Sequence, residues 1–102
     1  MRVMEIEYGD DDLRRLAVDP AFDGGYPPTV VKVYRKRIQM IKSAPDERDF
    51  YAFKGLHYEK LKGARAHQRS MKLNDQWRLI LEVVEGKSGK SVRVAAIENH
   101  YD

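Results

Sequence analysis

The sequence predicts an α+β fold in which two N-terminal helices pack on one face of a mostly antiparallel sheet. Three observations support this prediction. Residues 3–8 alternate as a strand does, helical periodicity dominates from there to about residue 44, and the second half alternates apolar and polar residues between turn signals. The predicted order of elements is β-α-α-β-β-β-β, which is a two-layer arrangement.

The two predicted helices have clear start and stop signals. Residues 10–12 are all Asp and supply N-cap candidates for a short helix that ends near Pro20. A longer helix begins at Pro28 and ends before Pro45, because apolar residues recur along it at three- and four-residue spacing. These apolar positions are Val30, Val31, Tyr34, Ile38 and Ile41. The next segment, 46–54, fits either a helical turn or a loop.

Four strands are predicted after Gly55. Turn signals at Gly63, at "NDQ" and at "EGKSGKS" separate them. The last strand is apolar enough to be central in the sheet. The predicted strands cover residues 57–61, 69–73, 77–84 and 92–97.

Length and composition limit the class of protein. A chain of 102 residues has room for one modest core, so we expect a single domain over residues 1–102. No apolar run is long enough to span a bilayer, and no signal peptide is recognisable, so we expect a soluble cytoplasmic protein without a membrane partner. The chain has no cysteine, and its three histidines lack ligand-like spacing, so the sequence predicts neither a metal nor another cofactor.

Positive charge is concentrated in one quarter of the chain. Residues 54–78 hold seven Lys or Arg against two acidic residues, whereas the whole chain has a net charge of only +3. Strand alternation predicts that Lys72 and Arg78 stand on the sheet face away from the helices, and that Lys60 and Lys62 share a face in the same way. Such a surface suits a polyanion, with a merely solvated basic surface as the alternative.

The segment "LHYEKLKGARAHQRSMKLNDQWRLIL" resembles the HigB branch of the RelE/ParE toxin superfamily, whose members read roughly "L-x-x-LKG-DR…S-I-R-x-N-x-QWR-I". With the helical pair upstream, the resemblance covers nearly the whole chain. The matching positions are Leu61, Lys62, Gly63, Arg65, Ser70, Met71, Asn74, Gln76, Trp77, Arg78 and Leu79.

This resemblance implies the toxin of a type II toxin–antitoxin system. Such toxins bind the ribosomal A site and cut translated mRNA without a metal, which inhibits translation. The implied partners are the ribosome, mRNA and a HigA-like helix-turn-helix antitoxin, with operator DNA bound only through the antitoxin. Two alternatives remain open, a ParE-like inhibitor of DNA gyrase and a noncatalytic RNA-binding relative, because one scaffold can carry several functions.

Metal-free RNA cleavage needs a base, an acid and cations around the phosphate. The resemblance implies that Arg78 binds the scissile phosphate and that His100, Glu98, Tyr101 and His57 are the acid and base candidates. A salt bridge of Glu98 to Arg78 or Arg93 is the alternative for that carboxylate. The implied RNA-binding residues are Lys54, Lys60, Lys62, Arg65, Arg69 and Lys72.

Two features depart from the family pattern. Family members tend to end in "E-D-Y-H" or "V-D-Y-H", whereas this chain ends in "E-N-H-Y-D". Without a gap, Glu98 matches the Glu and the His and Tyr are exchanged; with a one-residue shift, His100 keeps the His position. Some relatives also have a His just before LKG, where this chain has Glu59. His57 is two residues earlier, on the same face of the predicted strand, and could substitute for it.

Overall fold

The computed structural model describes residues 4–86 and 89–99, which form a five-stranded sheet with helices on one face. The strand order is β1-β5-β4-β3-β2, in which β1 is parallel to β5 and all other neighbours are antiparallel. The strands are β1 (Glu5–Tyr8), β2 (Glu59–Lys60), β3 (Gln68–Lys72), β4 (Trp77–Gly86) and β5 (Gly89–Asn99). The helices are α1 (Asp11–Val18), α2 (Pro28–Ser43) and α3 (Arg48–Ala52), with 3₁₀ turns at Lys54–Leu56 and Gly63–Arg65.

The helix boundaries follow from local chemistry. Asp10 is the N-cap of α1, and its Oδ1 accepts a hydrogen bond of 2.8 Å from the Leu13 N–H, which satisfies one free donor of the first turn. Pro28 is the first residue of α2, where a missing N–H costs nothing. The ambiguous segment 46–54 contains α3 and the start of a 3₁₀ turn. None of the helices in the described residues is long and apolar enough to cross a membrane.

The core lies between the helices and one face of the sheet. All five apolar positions predicted for α2 are buried, and Tyr34 also donates a hydrogen bond of 2.7 Å from its hydroxyl to the Leu13 carbonyl of α1. The sheet contributes alternate residues, as the predicted registers require. Its most deeply buried residues on this face are Met71, Leu79, Leu81, Val92 and Val94. The predicted α+β fold with its helices on one side is therefore confirmed.

The strand predicted over residues 57–61 is wrong in its extent, because β2 contains only Glu59 and Lys60. His57 ends the preceding 3₁₀ turn with a left-handed φ of 47° and is not in a strand. Leu56 and Tyr58 on either side of it are both buried in the core. These two core contacts draw the segment toward the helices and delay the start of the strand.

The last two strands are longer than predicted and contain an irregularity. Pairing of β4 with β5 extends to Gly86 opposite Gly89, so most of the predicted 85–91 loop is strand. Between Ile80 and Leu81 the register shifts, and Ala95 is the extra residue on β5. β5 lies between β1 and β4, so it is an interior strand, as its apolar sequence predicted.

Candidate active site on the open face of the sheet

The sheet face away from the helices, here called the open face, has its residues arranged in cross-strand rows. Lys72 on β3, Arg78 on β4 and Glu98 on β5 are direct partners in the register and form one row. Directly opposed residues on antiparallel strands project to the same side of the sheet, so two cations and a carboxylate are neighbours there. The prediction that Lys72 and Arg78 share the open face is thus confirmed.

Arg78 is the more available of the two cations in this row. It is half-buried, and in the described part of the chain no hydrogen bond or ion pair engages it. Lys72 is bound to the exposed Asp75 at 3.1 Å between Nζ and Oδ1. A partly buried, unpaired guanidinium is suited to bind an incoming phosphate, because two of its N–H groups match two phosphate oxygens.

Glu98 is held by Arg65, which the sequence predicted as an RNA contact. The Arg65 Nη1 and Nη2 donate to Oε1 and Oε2 of Glu98 at 3.1 and 2.8 Å, so both carboxylate oxygens are occupied. The Arg65 Nε donates to the Gln68 side chain at 2.8 Å. The salt bridge suggested from the sequence, to Arg78 or Arg93, is therefore replaced by one to Arg65.

Ser70, Ile80 and Ala96 are direct partners in the register and form a second row of the open face, which the Arg65 side chain crosses. Gln68 is two residues before Ser70 on β3, and Glu98 is two residues after Ala96 on β5, so the Arg65 contacts lie on both sides of the Ser70, Ile80 and Ala96 row. Ser70 and Ile80 are only 4% and 2% exposed although they face away from the helices. The loop that carries Arg65 is thus folded over this face.

The row of Lys72, Arg78 and Glu98 is here called the cationic row, and the turn between β3 and β4 fixes its register. The Asn74 Oδ1 accepts hydrogen bonds from the backbone N–H groups of Gln76 and Trp77, both at 2.8 Å. Leu73 also donates from its backbone N–H to the Trp77 carbonyl at 3.0 Å. Trp77 packs against the core and makes an edge contact with Tyr26, with ring centroids 5.7 Å apart. The "N-x-QWR" sequence therefore sets the position of Arg78.

Comparison with known proteins identifies the family. A family model described as the RelE-like toxin HigB of type II toxin–antitoxin systems matches residues 6–92. The chain belongs to the HigB-like toxin family. The toxin therefore has an antitoxin as its expected partner. The matched range includes Arg78 and ends before Glu98.

A solved structure supports the fold of the toxin. The YoeB/ParE toxin from Agrobacterium tumefaciens is 18% identical, and the alignment covers 96% of this chain and 100% of that chain, with a TM-score of 0.55. At this identity the likeness concerns the fold alone. A comparison with curated proteins gave no match.

The predicted RNA-binding residues of the toxin are not all on one surface. Lys60 is directly opposite Arg69 in the register. Arg69 is three residues before Lys72 on β3, so the two side chains project to opposite faces of the sheet. Lys60 is therefore on the opposite face from the cationic row. The expectation that Lys60 and Lys62 extend the open face is wrong, because β2 ends at Lys60 and Lys62 follows the strand. Lys54, Lys60 and Lys62 are all exposed.

Arg69 of the toxin is engaged in the interior contacts of the helix face. Its Nε lies 3.3 Å from the Glu47 Oε2, which also accepts a hydrogen bond of 2.7 Å from the Tyr58 hydroxyl. Burial, followed by this hydrogen bond, raises the pKa of Tyr58 well above its usual value. Glu47 thus joins the segment before α3 to β3. Sequence reasoning missed Glu47 because it lies in the segment left ambiguous.

Of the other acid and base candidates of the toxin, only His57 lies within the described residues. His57 is exposed at the end of a 3₁₀ turn, so the expectation that it shares a strand face with Glu59 is wrong. His100 and Tyr101 lie outside the described residues. Within residues 4–86 and 89–99, no three His, Cys, Asp or Glu side chains converge as metal ligands.

Proposed function

We propose that this toxin is a ribosome-dependent mRNA endoribonuclease that cleaves translated mRNA without a metal. The observation that carries the proposal is Arg78, a half-buried guanidinium without a partner in the described residues, next to Lys72 and Glu98 on the open face. The two cations can stabilise the negative charge of a pentavalent phosphate. The carboxylate beside them is a polar group that can contact the ribose.

The proposed reaction is a transesterification within the RNA strand. A base removes the proton of a ribose 2′-OH, the 2′-oxygen attacks the adjacent phosphorus, and the 5′-oxygen leaves with a proton from an acid. Arg78 would bind the nonbridging phosphate oxygens, on which negative charge accumulates. Proton transfer is assigned to His100 and Tyr101, with Glu98 two residues before His100 in the sequence.

The proposed substrate and partners follow from the charge pattern and the family. Lys54, Lys60 and Lys62 are exposed and carry no ion pair in the described residues, so they are available to RNA phosphates of mRNA or ribosome. A HigA-like helix-turn-helix antitoxin would neutralise the toxin and provide its only link to operator DNA. The proposed site of action is the cytoplasm, where ribosomes translate.

Expression without antitoxin tests this proposal. Wild-type protein should arrest growth, and primer extension on cellular mRNA should show new 5′ ends that are absent with Arg78→Ala. Arg48→Ala is the matched control, because Arg48 lies on α3 with an 88% exposed side chain and its loss leaves the open face unchanged. This control should give the wild-type mRNA pattern.

Two results would overturn the proposal. Intact mRNA together with inhibited DNA gyrase would indicate a ParE-like mode of action. Unimpaired growth with a folded, abundant protein would indicate a relative without ribonuclease activity. Either result would leave the family membership of the chain unchanged.

A further inference from the structure

Arg78 and Glu98 are direct cross-strand partners, yet no ion pair joins them. Opposite charges directly across an antiparallel pair normally attract one another and contribute to sheet stability. The Glu98 carboxylate is instead bound by Arg65, which comes from the 3₁₀ turn between β2 and β3. A contact from a separate loop has therefore replaced the contact that the register alone would favour.

Three nitrogens of the Arg65 guanidinium donate hydrogen bonds, two to Glu98 and one to Gln68. Both Nη atoms bind the carboxylate, and Nε binds the Gln68 amide oxygen. The Gln68 amide nitrogen donates in turn to the Glu82 Oε2 at 3.1 Å, which defines the orientation of the amide. A bidentate guanidinium whose third donor is also anchored has little freedom to rotate. The direction of the Glu98 carboxylate is thereby set.

We propose that Arg65 is a positioning residue that keeps the Glu98 carboxylate away from Arg78, so that Arg78 stays available to an RNA phosphate. This inference rests on the proposed function. Without Arg65, Glu98 would bind its cross-strand neighbour Arg78, and an RNA phosphate would then have to displace a carboxylate. With Arg65 in place, the phosphate meets an unpaired guanidinium.

Stability alone does not account for the Arg65 contact. The side chains of Arg65 and Glu98 are 45% and 42% exposed, and ion pairs this exposed contribute little to folding. Their effect is therefore on the orientation and charge of the site. A direct phosphate contact by Arg65 is the competing explanation, and it predicts a different outcome when Glu98 is also changed.

Binding of an uncleavable RNA separates the two explanations. The probe is a short 2′-O-methyl oligoribonucleotide, which lacks the attacking hydroxyl, and its affinity is measured by fluorescence anisotropy at low salt. We expect Arg65→Gln to weaken binding by about tenfold, the loss of one charge-assisted contact at Arg78. The double variant Arg65→Gln/Glu98→Gln should recover most of this loss, because no carboxylate remains to occupy Arg78.

A charge-matched control excludes a general electrostatic effect. Arg65→Gln/Asp11→Asn has the same net charge as the double variant, but Asp11 is on α1 and forms a local ion pair with Arg14. This control should bind as weakly as Arg65→Gln. Equal weakness of the Glu98 double variant would overturn the proposal in favour of direct phosphate binding by Arg65. Unchanged binding by Arg65→Gln would also overturn it.

Nuclear magnetic resonance of the arginine side chains tests the inference independently of RNA. In Arg65→Gln the Arg78 guanidinium signals should shift and show restricted rotation as Glu98 binds, and the shift should disappear in the Glu98 double variant. Wild-type protein that binds neither the probe nor ribosomes programmed with mRNA would count against the proposed function. In that case the guanidinium signals alone would decide the inference, and an unaltered Arg78 signal in Arg65→Gln would refute it.

Discussion

Gly63 has a φ of 64°, a left-handed conformation that directs the chain from β2 into the turn carrying Arg65. A side chain there would meet nothing within 4 Å, so the requirement for glycine is conformational and not steric. The LKG sequence thus has a physical role. It ends the short edge strand and brings Arg65 over the open face.

Replacement of Gly63 by Ala should therefore destabilise the protein. We expect a loss of about 1 kcal/mol in the free energy of unfolding, because an L-residue is strained in this region. Denaturant unfolding measures it. Gly55→Ala is the control, since Gly55 has no positive φ and its added Cβ would be 3.4 Å from Phe53, an ordinary contact. Equal stability of the Gly63 variant and wild type would contradict the strain argument.

Single residues of the candidate site were predictable to different degrees. Arg78 and Lys72 were assigned to the open face because apolar neighbours on β3 and β4 fix the alternation. Arg65 could be recognised as part of the motif, but its partner could not, since 33 residues separate it from Glu98. Contacts between a turn and a distant strand depend on tertiary packing, which periodicity does not encode.

At the scale of elements, the turn between β3 and β4 determines which side chains meet on the open face. Asn74 uses one oxygen to accept two backbone N–H groups, as Asx turns commonly do. A slip of one residue here would transfer Arg78 to the helix face. The turn is therefore coupled to the site through the register.

Asn74→Ala should lower the free energy of unfolding by about 1 kcal/mol, because both accepted hydrogen bonds are lost. Asn74→Asp keeps an acceptor oxygen and should lose clearly less. Thermal or denaturant unfolding of the two variants provides the comparison. An Ala variant as stable as the Asp variant would mean that the side-chain oxygen does not stabilise the turn.

The elements themselves were largely predictable, and the error around β2 has a physical cause. Helix α1 has an Asp10 N-cap, and helix α2 begins at a proline and has a full apolar stripe, so their limits could be predicted from sequence. The segment around β2 has apolar residues at alternate positions, but Leu56 and Tyr58 are used by the core and not by a strand. Tertiary packing overrides local preference where an edge strand is this short.

At the scale of the whole molecule, two buried tyrosines make stability sensitive to alkaline pH. Burial raises the pKa of Tyr34, and burial together with the hydrogen bond to Glu47 raises that of Tyr58. Below a pH of about 10 both tyrosines are protonated in the folded and unfolded states, and stability is complete. Above this pH the unfolded chain ionises while the folded protein resists, so stability falls as pH rises.

Denaturant midpoints measured from about pH 9 to about pH 11 should therefore decrease. In Tyr58→Phe the decrease should be shallower, because one contributing group is removed. Burial also raises the pKa of Tyr8, Tyr26 and Tyr34, and these three groups are retained in the variant. A constant midpoint for wild-type protein over this range, or an identical slope in the Phe variant, would contradict the assignment of these pKa shifts.

In the whole molecule the two faces of the sheet have different roles. The hydrophobic core packs on one face, and the cationic row lies on the other. On this open face, Arg78 is proposed to bind the scissile phosphate during RNA cleavage. The most direct measurement is the initial rate of mRNA cleavage by purified protein on programmed ribosomes. Arg78→Ala should lower this rate by on the order of a hundredfold, with Arg48→Ala close to wild type. Cleavage by Arg78→Ala at the wild-type rate would contradict the claim.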